Sequence, residues 1–158
     1  MISIFDQYKN QRHKEAKKTC FKLLSIIENS LEIDETYINK LGQETSIMGI
    51  LTEFICQAKL LQTQTSSTEY NNNHLYSSEI LSIVVLDEAN QRKFGELHLI
   101  EAILTLLRSI SEAETFYEDE KEMYLNLFNT LNTVLIVREN QEVFLEAEGM
   151  EIMMKLLK

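Results

Sequence analysis

Three histidines and two cysteines are the side chains of this sequence best suited to nucleophilic, acid–base or metal chemistry. Such chemistry needs them in company: a thiol beside an imidazole, or three or four ligands converging on one point. Cys20 and Cys56 are 36 residues apart, with no second cysteine or histidine at a ligand spacing, and read as reduced core thiols of an intracellular protein. His13 lies among lysines, His74 follows Asn71 to Asn73, and His98 stands between two leucines. None is read with a relay or ligand partner, so all three are expected to be surface or capping residues. Glu118, Asp119, Glu120 and Glu122 form an acidic cluster of the kind that favours a helix N-terminus. Met150, Met153 and Met154 form a soft apolar patch at helical spacing, expected in a core rather than a groove. The sequence contains no glycine-rich phosphate loop, no Gly-x-Ser-x-Gly, no His-Glu-x-x-His and no Cys-x-x-Cys. It therefore reads as a non-enzyme, with no catalytic residues, no cofactor and no metal.

The elements that would position any site are helices. There is no proline among 158 residues, and only four glycines, Gly42, Gly49, Gly95 and Gly149. Chain breaks are thus rare and hairpin turns unsupported. Apolar residues recur at spacings of three and four in Ala16, Cys20, Leu23, Leu24, Ile27 and Leu31, and again in Ile47, Ile50, Leu51, Phe54, Ile55 and Ala58. A short helix holding Tyr37, Ile38 and Leu41 follows an acidic turn at 32–35. Residues 62–73 are polar and read as a loop, as does the acidic stretch 109–119. Further stripes run from Leu75 to Val85, from Phe94 to Leu107, from Met123 to Leu135 and from Phe144 to Leu157, with breaks expected at 87–90 and 138–141.

The last two blocks are related by an offset of 50 residues: Asn90, Gln91, Phe94 and Glu96 recur as Asn140, Gln141, Phe144 and Glu146. Ile100, Ile103, Leu104 and Leu107 recur as Met150, Met153, Met154 and Leu157. Leu23 to Ile27 matches Ile80 to Val84 more loosely. The expectation is an all-α, armadillo- or HEAT-like right-handed α-solenoid, one domain over 1–158 with three units near 12–61, 74–109 and 120–158. Each unit would be a long helix, a short connector and a second helix, stacked because no unit buries its apolar face alone. Glu101 and Glu151 occupy the same repeat position, on final helices expected to line one concave side with both carboxylates facing solvent. They are the candidate partner-binding residues.

Charge points the same way. Residues 1–60 carry eight basic and eight acidic side chains, whereas 61–158 carry seven and seventeen. An acidic surface repels nucleic-acid phosphates and attracts basic segments, so protein partners are expected and direct nucleic-acid binding is not. No basic start leads into a long apolar run, and no stretch has the length of a membrane span, so no secretory signal and no membrane partner are expected.

The run from Leu75 to Leu107, which begins Leu-Tyr-Ser-Ser-Glu-Ile-Leu-Ser-Ile, resembles the beta-catenin-like protein 1 family of nuclear armadillo-like proteins. The resemblance continues in Glu122-Met-Tyr-Leu-Asn-Leu-Phe128, in Phe144-Leu-Glu-Ala-Glu-Gly-Met-Glu-Ile-Met-Met154 and, more weakly, in Leu24-Ser-Ile-Ile-Glu-Asn29. It covers nearly the whole chain and corresponds to the central part of the family's longer members. What it implies is a nuclear scaffold associated with the spliceosome and pre-mRNA splicing, binding basic localisation-type segments of splicing factors. The other reading is a structural or dimerisation subunit of a larger helical-repeat assembly, with no peptide groove and a homodimer as one form.

Overall fold

The computed structural model describes residues 14–34, 36–62, 73–112 and 121–157, and every regular element among them is an α-helix. In chain order these are α1 (Lys14–Ile33), α2 (Thr36–Glu44), α3 (Ile47–Gln62), α4 (Asn73–Val84), α5 (Glu88–Glu96), α6 (Leu99–Ser111), α7 (Lys121–Val134), α8 (Arg138–Glu146) and α9 (Gly149–Leu156). Among the described residues no helix is long and apolar enough to cross a membrane. The sequence-predicted histidine at position 13 and acidic cluster at 118–120 fall outside them.

Local chemistry accounts for the helix limits. Asp34 ends the α1 segment and accepts hydrogen bonds from the Thr36 amide (3.0 Å) and hydroxyl (2.7 Å), which starts α2. At the other end of α2, the Lys93 ammonium donates to the carbonyls of Gly42 (2.8 Å) and Gln43 (2.6 Å), a cation placed where the helix dipole favours it. Asp87 caps α5 by accepting from the Asn90 amide (3.1 Å), and it also accepts from Asn39 Nδ2 on α2 (3.0 Å). Each of α6 and α9 is entered through one residue in the left-handed region, His98 (φ 57°) and Glu148 (φ 59°).

These limits correct the sequence reading. The stripe from Phe94 to Leu107 is two helices that break at Leu97 and His98, and the polar runs expected as breaks at 87–90 and 138–141 are largely the first turns of α5 and α8. The "short connector" of each later unit is a nine-residue helix. Ser109 and Ser111, expected in a loop, are helical and donate back to the carbonyls of Leu106 and Arg108.

The helices stack in three rows. α1, α4 and α7 form one, with α4 against both others; α2, α5 and α8 form the second in the same manner; α3, α6 and α9 form the third. Each helix therefore packs on its counterpart one unit away, and the rows share one apolar core that includes Leu24, Leu51, Leu81, Phe94, Ile103 and Leu127. Among the described residues the extensive helix–helix contacts lie within a unit or between neighbouring units, which is the physical signature of a repeat fold.

A polar ladder locks the middle row. Asn90 on α5 is fully buried, and its Nδ2 donates to the carbonyls of Val84 and of Ile38 on α2, both at 2.9 Å. Asn140 on α8 repeats this one unit later, donating to Val134 (2.8 Å) and to Gln91 on α5 (2.9 Å). A glycine on the neighbouring helix makes room in each case. A Cβ added at Gly42 would overlap the Asn90 carboxamide, and one added at Gly95 would overlap that of Asn140. Helix–helix approach this close requires glycine.

Candidate functional site

Glu101 and Glu151 are each the third residue of their helices, α6 and α9, and these two helices pack directly on one another. The pair thus holds the same position in adjacent first turns, where a carboxylate is favoured by the N-terminal end of the helix dipole. Their surroundings differ. Glu151 is exposed. Glu101 is only partly so: its Oε1 lies 2.7 Å from His98 Nδ1, and its Oε2 is buried without a hydrogen-bond partner. A carboxylate can only accept, so His98 Nδ1 carries the proton of that bond. The expectation that both carboxylates face solvent is corrected for Glu101, whose Oε2 is buried and whose Oε1 is engaged by His98 from the left-handed turn before α6.

Nearby, Arg108 Nη2 reaches Glu148 Oε2 at 3.0 Å, with a weaker contact to the Ala147 carbonyl, and this ties α6 to the turn between α8 and α9. Both side chains are substantially exposed, so the ion pair contributes at most about 1 kcal/mol. Its effect on charge is larger, since it neutralises one acid beside Glu151 and leaves Glu151 as the open carboxylate of that edge.

The remaining candidates are structural. Cys20 is buried and Cys56 half-buried, both are free thiols, and burial pushes both above the ordinary thiol range, so they are protonated and unreactive at neutral pH. His98 is exposed as expected. His74, expected as a surface or capping residue at a helix start, lies in the first turn of α4 and is buried there. Met150 and Met154 are likewise a correction. They are exposed on α9, with only Met153 half-buried, because none of the described helices covers that side of the last unit. Among the described residues no three His, Cys, Asp or Glu side chains are grouped to hold a metal ion. The residues that sequence reasoning treated only as repeat markers, Asn90 and Asn140, prove to be the most deeply engaged polar groups; their recurrence at an offset of 50 was the available signal.

The sequence pattern of a family described as catenin-beta-like, Arm-motif containing and nuclear matches residues 1–158. Beta-catenin-like protein 1 of Bos taurus is 29% identical over 146 residues, which is 92% of this chain and 24% of that protein. The Homo sapiens protein of the same name gives the same identity and coverage. The beta-catenin-like protein 1 homolog of Schizosaccharomyces pombe is 22% identical over 144 residues, covering 90% of this chain and 24% of its own length. The chain thus spans about a quarter of the length of the curated relatives it matches.

Proposed function

The chain belongs to the catenin-beta-like, Arm-motif containing nuclear family, and from that premise we propose that it is a nuclear, armadillo-like scaffold of the pre-mRNA splicing machinery that binds basic localisation-type segments of partner proteins and catalyses nothing. Residues 1–158 act in this reading as one domain of three stacked units. The observation that carries the binding surface is the register of Glu101 and Glu151, set side by side in the first turns of α6 and α9. A lysine or arginine segment laid across the two helices meets Glu151 directly. It meets Glu101 through the field of a carboxylate whose Oε1 is engaged by His98 and whose Oε2 is buried. The excess of acids in 61–158 steers such a segment toward this part of the molecule.

Titration with a labelled lysine-rich localisation-type peptide, by fluorescence anisotropy at low and high salt, tests this. Binding should weaken with salt, since exposed charges are screened over about 8 Å at physiological ionic strength. Glu151→Lys should lower affinity more than Glu101→Lys, and the double reversal should lower it furthest through added repulsion. Absence of binding to the unaltered protein, or equal binding to the double variant, would show that the two glutamates are ordinary solvated surface.

A further inference from the structure

The helix triplets α1–α3, α4–α6 and α7–α9 meet at two joints, and the repeat lets each position at one joint be compared with its counterpart at the other. Gly42 and Gly95 are counterparts, since each seats the asparagine of the following triplet, Asn90 or Asn140. Around the first rung the middle row is dense in directional bonds. Asn39, three residues before Gly42, donates from Nδ2 to Asp87 (3.0 Å), and Gln43, the residue after it, donates from Nε2 to Asn90 Oδ1 (3.0 Å). Lys93, three residues after Asn90, donates to the carbonyls of Gly42 (2.8 Å) and Gln43 (2.6 Å), with a longer contact to that of Thr45 (3.4 Å).

Among the described residues none of these three recurs at the second joint. The counterparts of Asn39 and Asp87 are Arg92 and Val137, and Arg92 pairs with Glu88 on its own helix. Gln43 is replaced by the exposed Glu96, and a carboxylate has no proton to donate to Asn140 Oδ1. Lys93 is replaced by Val143, which has no donor for the carbonyls at the end of α5. The Asn140 rung remains. Off the middle row, Asn126 Nδ2 reaches Ser78 Oγ (3.2 Å) and Arg108 reaches Glu148 in an exposed, weak ion pair. Apolar burial is non-directional, so a joint held mainly by it keeps its contact while its angle changes. Hydrogen bonds fix the angle, charge-assisted ones most strongly.

We propose that the fold has one braced joint and one pliant joint: α1–α3 and α4–α6 move as a single body fixed by the bonds of Asn39, Gln43 and Lys93, and α7–α9 rocks against them about the Asn140 rung. The consequence falls on the candidate site, because Glu101 and Glu151 stand on either side of the pliant joint. Rocking changes the separation of the two carboxylates, so a basic segment laid across them selects one angle of the stack. That last step rests on the reading of the acidic edge, whereas the joints themselves do not.

Residual dipolar couplings of the full chain in a dilute aligned medium report the alignment of each triplet separately. In the unaltered protein α1–α3 and α4–α6 should fit one alignment tensor, and α7–α9 a weaker one. Lys93→Met removes the ammonium while keeping an apolar stem, and should lower the alignment of α1–α3 against α4–α6 without changing that of α7–α9. Glu96→Gln combined with Val143→Lys carries the two donors to the second joint and should bring α7–α9 up to the common tensor. One tensor for all three triplets in the unaltered chain, or an unchanged first joint in Lys93→Met, would overturn the proposal. So would a graft that leaves α7–α9 weakly aligned while its circular dichroism stays helical. No peptide is present in these measurements, so their failure leaves the acidic-edge reading to its own titration.

Discussion

Asn140 and Gly95 form a matched pair in which neither residue is explicable alone. Removing the carboxamide in Asn140→Ala strands two buried carbonyls without their second donor and should destabilise by about 1–3 kcal/mol. Gly95→Ala gains about 1 kcal/mol of helix propensity, yet its methyl group would overlap Asn140 inside a packed interface, a strain of about 1–3 kcal/mol that outweighs the gain. In the double variant the overlap is gone, so its loss should be clearly less than the sum of the singles in urea denaturation; strict additivity would mean the two do not couple. Phe94 lies fully buried and Phe144 nearly so. Phe94→Ala should therefore cost about 3–5 kcal/mol, and more than Phe144→Ala. The burial of both phenylalanines was legible from their recurrence at an offset of 50. The role of the asparagines was not, because polar residues in a repeat read as surface until a partner carbonyl and a facing glycine are seen.

Helix limits depend on single side chains, and here the sequence was readable only in part. The stripes at 20–31 and 47–55 announced α1 and α3 because every third or fourth residue is apolar and buried. The breaks before α6 and α9 were invisible, since the residues in the left-handed region are His98 and Glu148 rather than glycine or asparagine. Relieving that backbone in Glu148→Gly should stabilise the fold by up to about 1 kcal/mol, partly offset by losing the Arg108 ion pair; a fall in thermal midpoint larger than the ion pair explains would refute strain at this turn. The cap on α2 gives a pH dependence. Hydrogen bonds from Thr36 hold the Asp34 carboxyl below its ordinary range. A carboxyl depressed in the folded state contributes fully above its unfolded value, near about 3.9, and loses that contribution as pH falls through the lowered folded value. Asp34→Ala should remove this component of acid destabilisation, which thermal melts between neutral pH and acid would reveal as a smaller decline than in the unaltered chain.

At the scale of the molecule, a stack of helical repeat units was foreseeable from periodicity and repeat offset, whereas the third row and with it the division of units into helix triplets was not, because the nine-residue middle helices bury only a few residues each and leave no long stripe. Glu101 and Glu151 were placed correctly in register from the sequence alone. That Glu101 is only partly exposed, with its Oε1 engaged by His98 from a left-handed turn, depends on a backbone conformation no residue type advertised. The apolar end was written in the sequence as Met150, Met154 and Leu157, yet a periodic pattern states which residues share a face, never whether something lies against it. Far-ultraviolet circular dichroism should show a predominantly helical protein, and a sheet-dominated spectrum would refute the fold.

The one-sided packing of α7–α9 bears on how the molecule opens. These three helices pack on the rest of the described chain chiefly through α4, α5 and α6, and the Asn140 rung crosses that boundary. Amide hydrogens in α8 and α9 should exchange with solvent sooner than those of α4 to α6, as a cooperative group and not residue by residue. Asn140→Ala should accelerate that exchange selectively, lifting the last three helices away as a latch is released while the earlier units keep their protection.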